Sequence, residues 1–244
     1  MTVEQAINLS DFYQLMTIAL RCPTRELAEG LLDGGFADDL AACLEGLGIP
    51  ADEADAAYDR LCAAVLADAA DVETLFHKLR VEYTGLFLVP KREKIYIYES
   101  RFCYPKDADP KQYSMFVSPC ALHAEQCYKE AGVRVRKDLQ EAPDHMATEL
   151  EYISYLYRKL AESLSRAEQA GGSQTLAHVA EDPILNEKQE ILLWKVRIET
   201  FWQKHLSKWY DAFLAEIQEK TELETYRALA ALGGMRFDVP GSGR

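Results

Sequence analysis

The feature that most restricts the fold is the stretch Glu141 to Leu164, EAPDHMATELEYISYLYRKLAESL. Met146, Leu150, Ile153, Tyr157, Leu160 and Leu164 recur at alternating steps of four and three, which draws one long apolar stripe along a helix. Such a stripe must be covered, so the rest of the chain is expected to pack around it. Pro143 suits the first turn of this helix, where a missing N–H costs nothing, and Asp144 suits the positive end of its dipole. His145, Glu149 and Tyr152 follow the shoulder of the stripe, which puts a titratable pair at the core boundary near the helix start.

The other segments also read as helices. Val3, Ile7, Phe12 or Leu15, and Leu20 predict an apolar face over residues 3–20, and Pro23-Thr24 predicts a break followed by an N-cap. Gly34-Gly35 and Gly46-x-Gly48-x-Pro50 punctuate short segments. Tyr58, Leu61, Cys62, Val65 and Leu66 mark a further helix, and Leu75, Leu79, Tyr83 and Leu86-Phe87 continue the period. A helix is expected from about Tyr113 to Ala131. After a loop at QAGGSQTLAHVAEDP, the residues Ile191, Trp194, Ile198, Phe201, His205, Trp209 and Phe213 share one face of a late helix. The last helix runs from Glu222 to Leu232, and residues 233–244 read as a frayed tail. The expected architecture is all-α: a single-domain bundle over residues 1–232 with one long non-helical hinge at 88–112. There Pro90, Pro105, Pro110 and the alternating KIYIYES interrupt the helical period, and Ile95 to Tyr98 is expected to pair only locally.

Composition narrows the function. With 48% hydrophobic and 27% charged residues, the 244-residue chain has the means to bury a substantial core and reads as soluble and globular. No apolar run approaches the roughly 20 residues that cross a bilayer. MTVEQAINLSDFYQLM shows neither a basic n-region nor a cleavage site, so a cytoplasmic protein without stable membrane insertion is expected. The net charge of −13 is uneven: residues 1–85 carry 16 acidic and 5 basic side chains, and hence −11 of it. Such a field repels nucleic acid and speeds encounter with a basic partner, although solubility alone also accounts for it. Six cysteines without a C-x-x-C pair read as reduced thiols. Cys120-x-x-His123-x-x-x-Cys127 sets three soft ligands on one side of a helix but offers no obvious fourth for tetrahedral zinc. The same helix carries a small-residue packing stripe of Val117, Cys120, Ala124, Cys127 and Ala131, so no metal or other cofactor is expected. No G-x-G-x-x-G or Walker pattern is present to cradle a phosphate.

Glu141-x-Pro143-Asp144-His145 followed by Glu149-Leu150 resembles the signature of the TorD/DmsD/NarJ group, cytoplasmic chaperones that assist the maturation of molybdenum-containing oxidoreductases. Tyr83-x-x-Leu86-Phe87-x-x-Pro90 and Tyr98-Glu99-Ser100-x-Phe102 resemble that group's aromatic-x-x-Leu-Phe segment and the loop after it, with Val89 in place of a glycine before the proline. Phe201-x-x-x-His205-Leu206-x-x-Trp209-x-x-x-Phe213 resembles its late helix, so the match is ordered from residue 83 to 213. The resemblance implies a TorD-like bundle that is a binding protein and not an enzyme, occurring as a monomer or a helix-exchanged dimer. It would hold the twin-arginine leader, and the body, of a molybdopterin oxidoreductase catalytic subunit. It also implies client contacts at Asp144, His145, Glu149, Tyr83, Leu86, Phe87, Trp202 and His205. Asp144 and Glu149, as exposed or half-exposed carboxylates, would meet the two arginines, and an aromatic groove the apolar h-region.

From the residues alone, other readings stay open. Asp144-His145 also fits a helix cap with a satisfied ion pair, and His205 in an apolar stripe fits the core. A metal-dependent or hydrolytic all-α enzyme would use His145, Glu149 and Asp144, but no H-E-x-x-H or nucleophile motif announces one.

Overall fold

The computed structural model describes residues 1–89, 95–104, 118–136, 141–171 and 183–237. The front of the chain folds into α1 (Val3–Leu20), α2 (Arg25–Leu32), α3 (Gly35–Gly46), α4 (Ala51–Asp68) and α5 (Val72–Tyr83), the last running into one π-helical turn, Thr84–Leu88. The back contributes α6 (Glu99–Phe102), α7 (Pro119–Glu130), α8 (Met146–Gly171), α9 (Pro183–Lys204), a 3-10 turn at Leu206–Lys208, α10 (Tyr210–Lys220) and α11 (Glu224–Gly233). The fold is all-α. Among the described residues the only sheet-like pairing is one antiparallel bridge between Tyr98 and His145, so the segment expected to pair only locally pairs instead with the distant start of the organising helix.

The helix of the organising stripe, α8, packs against α1 on one side and α9 on the other. Met146, Leu150, Ile153, Leu156, Tyr157 and Leu160 are fully buried, and each such side chain contributes about 1.5–3 kcal/mol relative to exposure. Across the α1 seam, Tyr157 stacks on Tyr13 with centroids 5.8 Å apart, and Ser154 Oγ donates to the Ser10 carbonyl at 2.8 Å. The helix starts are set locally. Thr2 closes a capping box with Gln5, and Thr24 Oγ1 accepts from Leu27 N at 3.3 Å, as its place after Pro23 predicts. Gly34 turns the chain between α2 and α3 at φ +89, a conformation strained for any residue with a Cβ.

Several expected details differ. Ile7 is 46% exposed, because α1 turns the face carrying Ala6, Leu9, Phe12, Tyr13 and Met16 inward, where the two rings fill more space. Leu66 likewise points outward from α4. The late stripe is not one helix: α9 ends at Lys204, and the backbone at His205, at φ −122 and ψ −86, breaks it before α10. Part of the expected tail is packed, with Phe237 buried edge-on against Phe12 at 4.8 Å. Ser118 caps α7 and Pro119 occupies its first turn. The expected residues 113–117 of that helix, most of the 169–183 loop, Pro90, Pro105 and Pro110, and the chain end from 238 lie outside the described residues.

Candidate functional site

Two distant segments meet at the start of α8. Met146 N donates to the Ile97 carbonyl at 3.0 Å, and Glu99 N donates to the Asp144 carbonyl at 2.9 Å. Asp144 Oδ2 accepts from Ser100 N at 2.9 Å. The carboxylate therefore satisfies the first turn of α6, not of α8, and buried N–H groups that would otherwise be orphaned are paired. This bridge keeps the backbone at 144–145 non-helical, so α8 begins at Met146 and not at Pro143. His145 caps it: its Nδ1 accepts from Ala147 N at 3.2 Å, and its ring lies edge-on to Tyr98 at 5.2 Å. Burial, helped by the Arg21 charge, pushes the imidazole down to about 3, so it is neutral.

One turn further on, Glu149 is buried among polar groups drawn from α6 and the break after α9. Trp209 Nε1 donates to Glu149 Oε2 at 3.1 Å. His205 Nδ1 lies 2.6 Å from Glu99 Oε2 and 3.7 Å from Glu149 Oε1. Lys208 Nζ stands 3.8 Å from the other Glu99 oxygen. The far nitrogen of His205 is 2.8 Å from His123 Nδ1, which is in turn 3.8 Å from Cys127 Sγ. Burial, with Glu99 and Asp144 adding like charge, holds Glu149 well above the carboxylate range. As a carboxylate its Oε1 would meet no donor; as a carboxylic acid it donates toward Glu99. Burial also raises Asp144, whose Oδ1 has no hydrogen-bond partner.

Asp144 and Glu149 are both 0% exposed, which corrects the expectation of exposed or half-exposed carboxylates facing a ligand. The acids that do reach the surface here are Glu141 and Glu151, with side chains 16% and 49% exposed, and both approach Arg21. Arg21 lies 3.0 Å from Glu151 and 3.6 Å from Glu141. Beside them a largely apolar groove of about 220 Å³ is lined by Tyr128, Val133, Val135, Thr148, Tyr152 and Tyr155 together with the charged Arg134, Arg136 and Glu151. Tyr128 joins the groove to the buried motif, because its hydroxyl donates to the Pro143 carbonyl at 2.7 Å.

The other expected site residues are buried too. Tyr83 packs edge-on to Phe87, Phe87 stacks on Phe213, and Phe213 meets Trp209, so a row of rings leads from the π-helical turn to the Glu149 carboxyl. Leu86 is fully buried beneath this row, and its carbonyl accepts from Ile95 N. Val89 has φ −76 and ψ 108, extended backbone that needs no glycine. Trp202 lies elsewhere, between Tyr13 and Tyr210. His145, Glu149 and Asp144 do not converge as an enzymatic set, because the His145 ring turns back onto its own helix start.

Among the described residues, two groups have the donors to hold a metal ion: Glu99, Glu149 and His205, and His123, Cys127 and His205. Cys120 is absent from both and sits instead beside Ser118 and Asp144.

A model of the family described as nitrate reductase delta subunit matches residues 50–215, which spans the end of the acidic front, the junction at the head of α8 and the break after α9. The chain belongs to this family. Nitrate reductase delta subunits are redox-enzyme maturation chaperones, as the resemblance to the TorD/DmsD/NarJ group implies. No curated protein and no solved structure matches the chain significantly. What sequence reasoning missed in this delta-family chain is the set of partners: Glu99, and Trp209 as a donor to Glu149. Both stood inside segments read for their rings. A glutamate between two such residues, Tyr98 and Phe102, was the available signal.

Proposed function

We propose that this chain is a cytoplasmic chaperone that binds the twin-arginine leader of a molybdopterin oxidoreductase and retains the client until its cofactor is inserted. The observation that carries this reading is the groove between α7 and α8, with Glu141 and Glu151 at its end. At about 220 Å³ it is below the roughly 300 Å³ at which small-molecule sites begin, so it suits side chains of a peptide laid across it. Tyr128, Tyr152, Tyr155, Val133 and Val135 supply the surface an apolar h-region needs. Glu141 and Glu151 already hold one guanidinium, that of Arg21, and a leader arginine can take its place with bidentate geometry. Asp144, His145, Glu149, Tyr83, Leu86, Phe87 and His205 act from behind as positioning residues, fixing the start of α8 from which the groove is built, while Trp202 packs apart from them between Tyr13 and Tyr210. Asp144 Oδ1 is the next acceptor a guanidinium reaches if the 95–104 segment lifts. The exposed row Leu192, Leu193 and Val196 on α9 suits the apolar surface of an incompletely folded client body.

Calorimetry with a synthetic twin-arginine leader tests the reading. Affinity should fall in part as salt rises, since screening removes the charge pairing but not the apolar contribution. A negative heat-capacity change should accompany binding. No binding of any molybdoenzyme twin-arginine leader, or binding indifferent to salt, contradicts it.

A further inference from the structure

His123 and Cys127 occupy one face of α7 at a spacing of four, and the fold brings His205 against them from the break after α9. His123 Nδ1 is 2.8 Å from the outer nitrogen of His205 and 3.8 Å from Cys127 Sγ, and the donor atoms of all three lie within 4.8 Å of one another. Around a tetrahedral zinc ion, bond lengths near 2.0 Å to nitrogen and 2.3 Å to sulfur place neighbouring donors about 3.3–3.6 Å apart. Those two separations bracket that range and the third, between His205 and Cys127, is at most 4.8 Å, so an ion is accommodated by shifts of up to about 1 Å, with His123 moving its proton from Nδ1 to its other nitrogen.

The orientation of His205 points the same way. Its Nδ1 meets the buried Glu99 carboxylate at 2.6 Å, which assigns the proton to Nδ1 and leaves a lone pair on Nε2 facing His123 and Cys127. A carboxylate behind a histidine is the arrangement that fixes the tautomer of metal-binding imidazoles and raises their basicity. His205 is fully buried while His123 and Cys127 are half-buried, so the cluster is rigid on one side and reachable from solvent on the other.

We propose that His123, Cys127 and His205 form a binding site for a zinc-class divalent ion, with Glu99 as the residue that orients His205 and a fourth position open to solvent. The ion would clamp α7 to the break after α9. It needs neither His145 nor the leader groove, so the site stands or falls apart from the chaperone reading.

The test is cobalt titration of the full-length, reduced, metal-stripped protein. One equivalent should bind, giving visible d–d bands of a tetrahedral ion and a near-ultraviolet thiolate-to-cobalt band, and one equivalent of zinc should displace it. Cys127→Ser should abolish the charge-transfer band, and His123→Asn should weaken binding at least tenfold. Glu99→Gln, which removes no ligand, should weaken it roughly 10–100-fold. Both ligand substitutions are at half-buried positions, and circular dichroism checks that each variant is folded. Cys103→Ser, at an exposed thiol, should change nothing. Failure to bind one equivalent of cobalt, or a thiolate band that survives Cys127→Ser, overturns the site.

Discussion

Two ends of one helix are built differently. From Ile153 to Leu160, α8 faces α1 through Leu156, Tyr157, Tyr13 and Met16, packed by shape with little to titrate. From Asp144 to Glu149, the same stretch of chain takes hydrogen bonds from the Glu99 and Ser100 N–H groups and the Trp209 indole, with His205 3.7 Å from Glu149, so that buried ionisable groups crowd together. The first region gains stability by removing apolar surface from water. The second removes charge and hydrogen-bonding groups from water and recovers that cost only while every partner is in place. Stability is therefore concentrated in the seam, and sensitivity to conditions in the junction.

The largest effect that sharpens this contrast is expected in the seam. Leu156→Ala should cost about 2–5 kcal/mol, read from the urea midpoint, because a fully buried leucine leaves a cavity among rings that cannot collapse. That loss should be the same at pH 5 and pH 7. A loss that changes strongly with pH would show that the seam is coupled to the junction.

The junction should respond to acid instead. His145 is held near 3 when folded against an ordinary value of 6.5, so the unfolded chain takes up a proton first as pH falls. Stability from its neutral burial is complete above pH 6.5 and declines from there toward pH 3. At pH 5 the decline should reach about 2 kcal/mol. His145→Gln keeps an acceptor for Ala147 N and should remove that part of the slope between pH 7 and 5. An unchanged slope would mean that His145 is not the group responsible.

How much of this was legible in the sequence follows the same division. The α8 stripe and the Thr24 cap were readable because periodicity and capping are local, and the burial of Met146 through Leu160 needs only steps of three and four. The junction was not, because its partners are separated by 44 to 106 positions and no spacing rule links Glu99 to His205 or Trp209 to Glu149. Even Asp144 was misplaced from local rules. Its position beside Pro143 suits a cap for α8, yet the bridge to Tyr98 turns its carboxylate toward Ser100. The acids that reach the surface beside the groove are Glu141 and Glu151, which depends on how α1 brings Arg21 alongside.

A smaller effect comes from the front. Thr24→Ala should cost about 1 kcal/mol by orphaning Leu27 N, with no effect on leader affinity. Asp144→Asn should cost no more than about 1 kcal/mol, because the amide oxygen still accepts from Ser100 N and a carboxyl raised by burial is replaced by a neutral group. Denaturation midpoints beside wild type check both, and a loss of several kcal/mol for Asp144→Asn would show that its charge holds the junction together.

The most direct test of the account is leader-peptide affinity in Glu151→Lys. Glu151 is half-exposed and its pair with Arg21 is a surface one, so the reversal should change stability by about 1 kcal/mol or less. If the arginines of the leader meet the head of α8 beside the groove, affinity should drop at least tenfold at low salt, and most of the salt dependence should vanish with it. A folded Glu151→Lys protein that binds the leader as tightly as wild type, with the same salt dependence, would contradict the account.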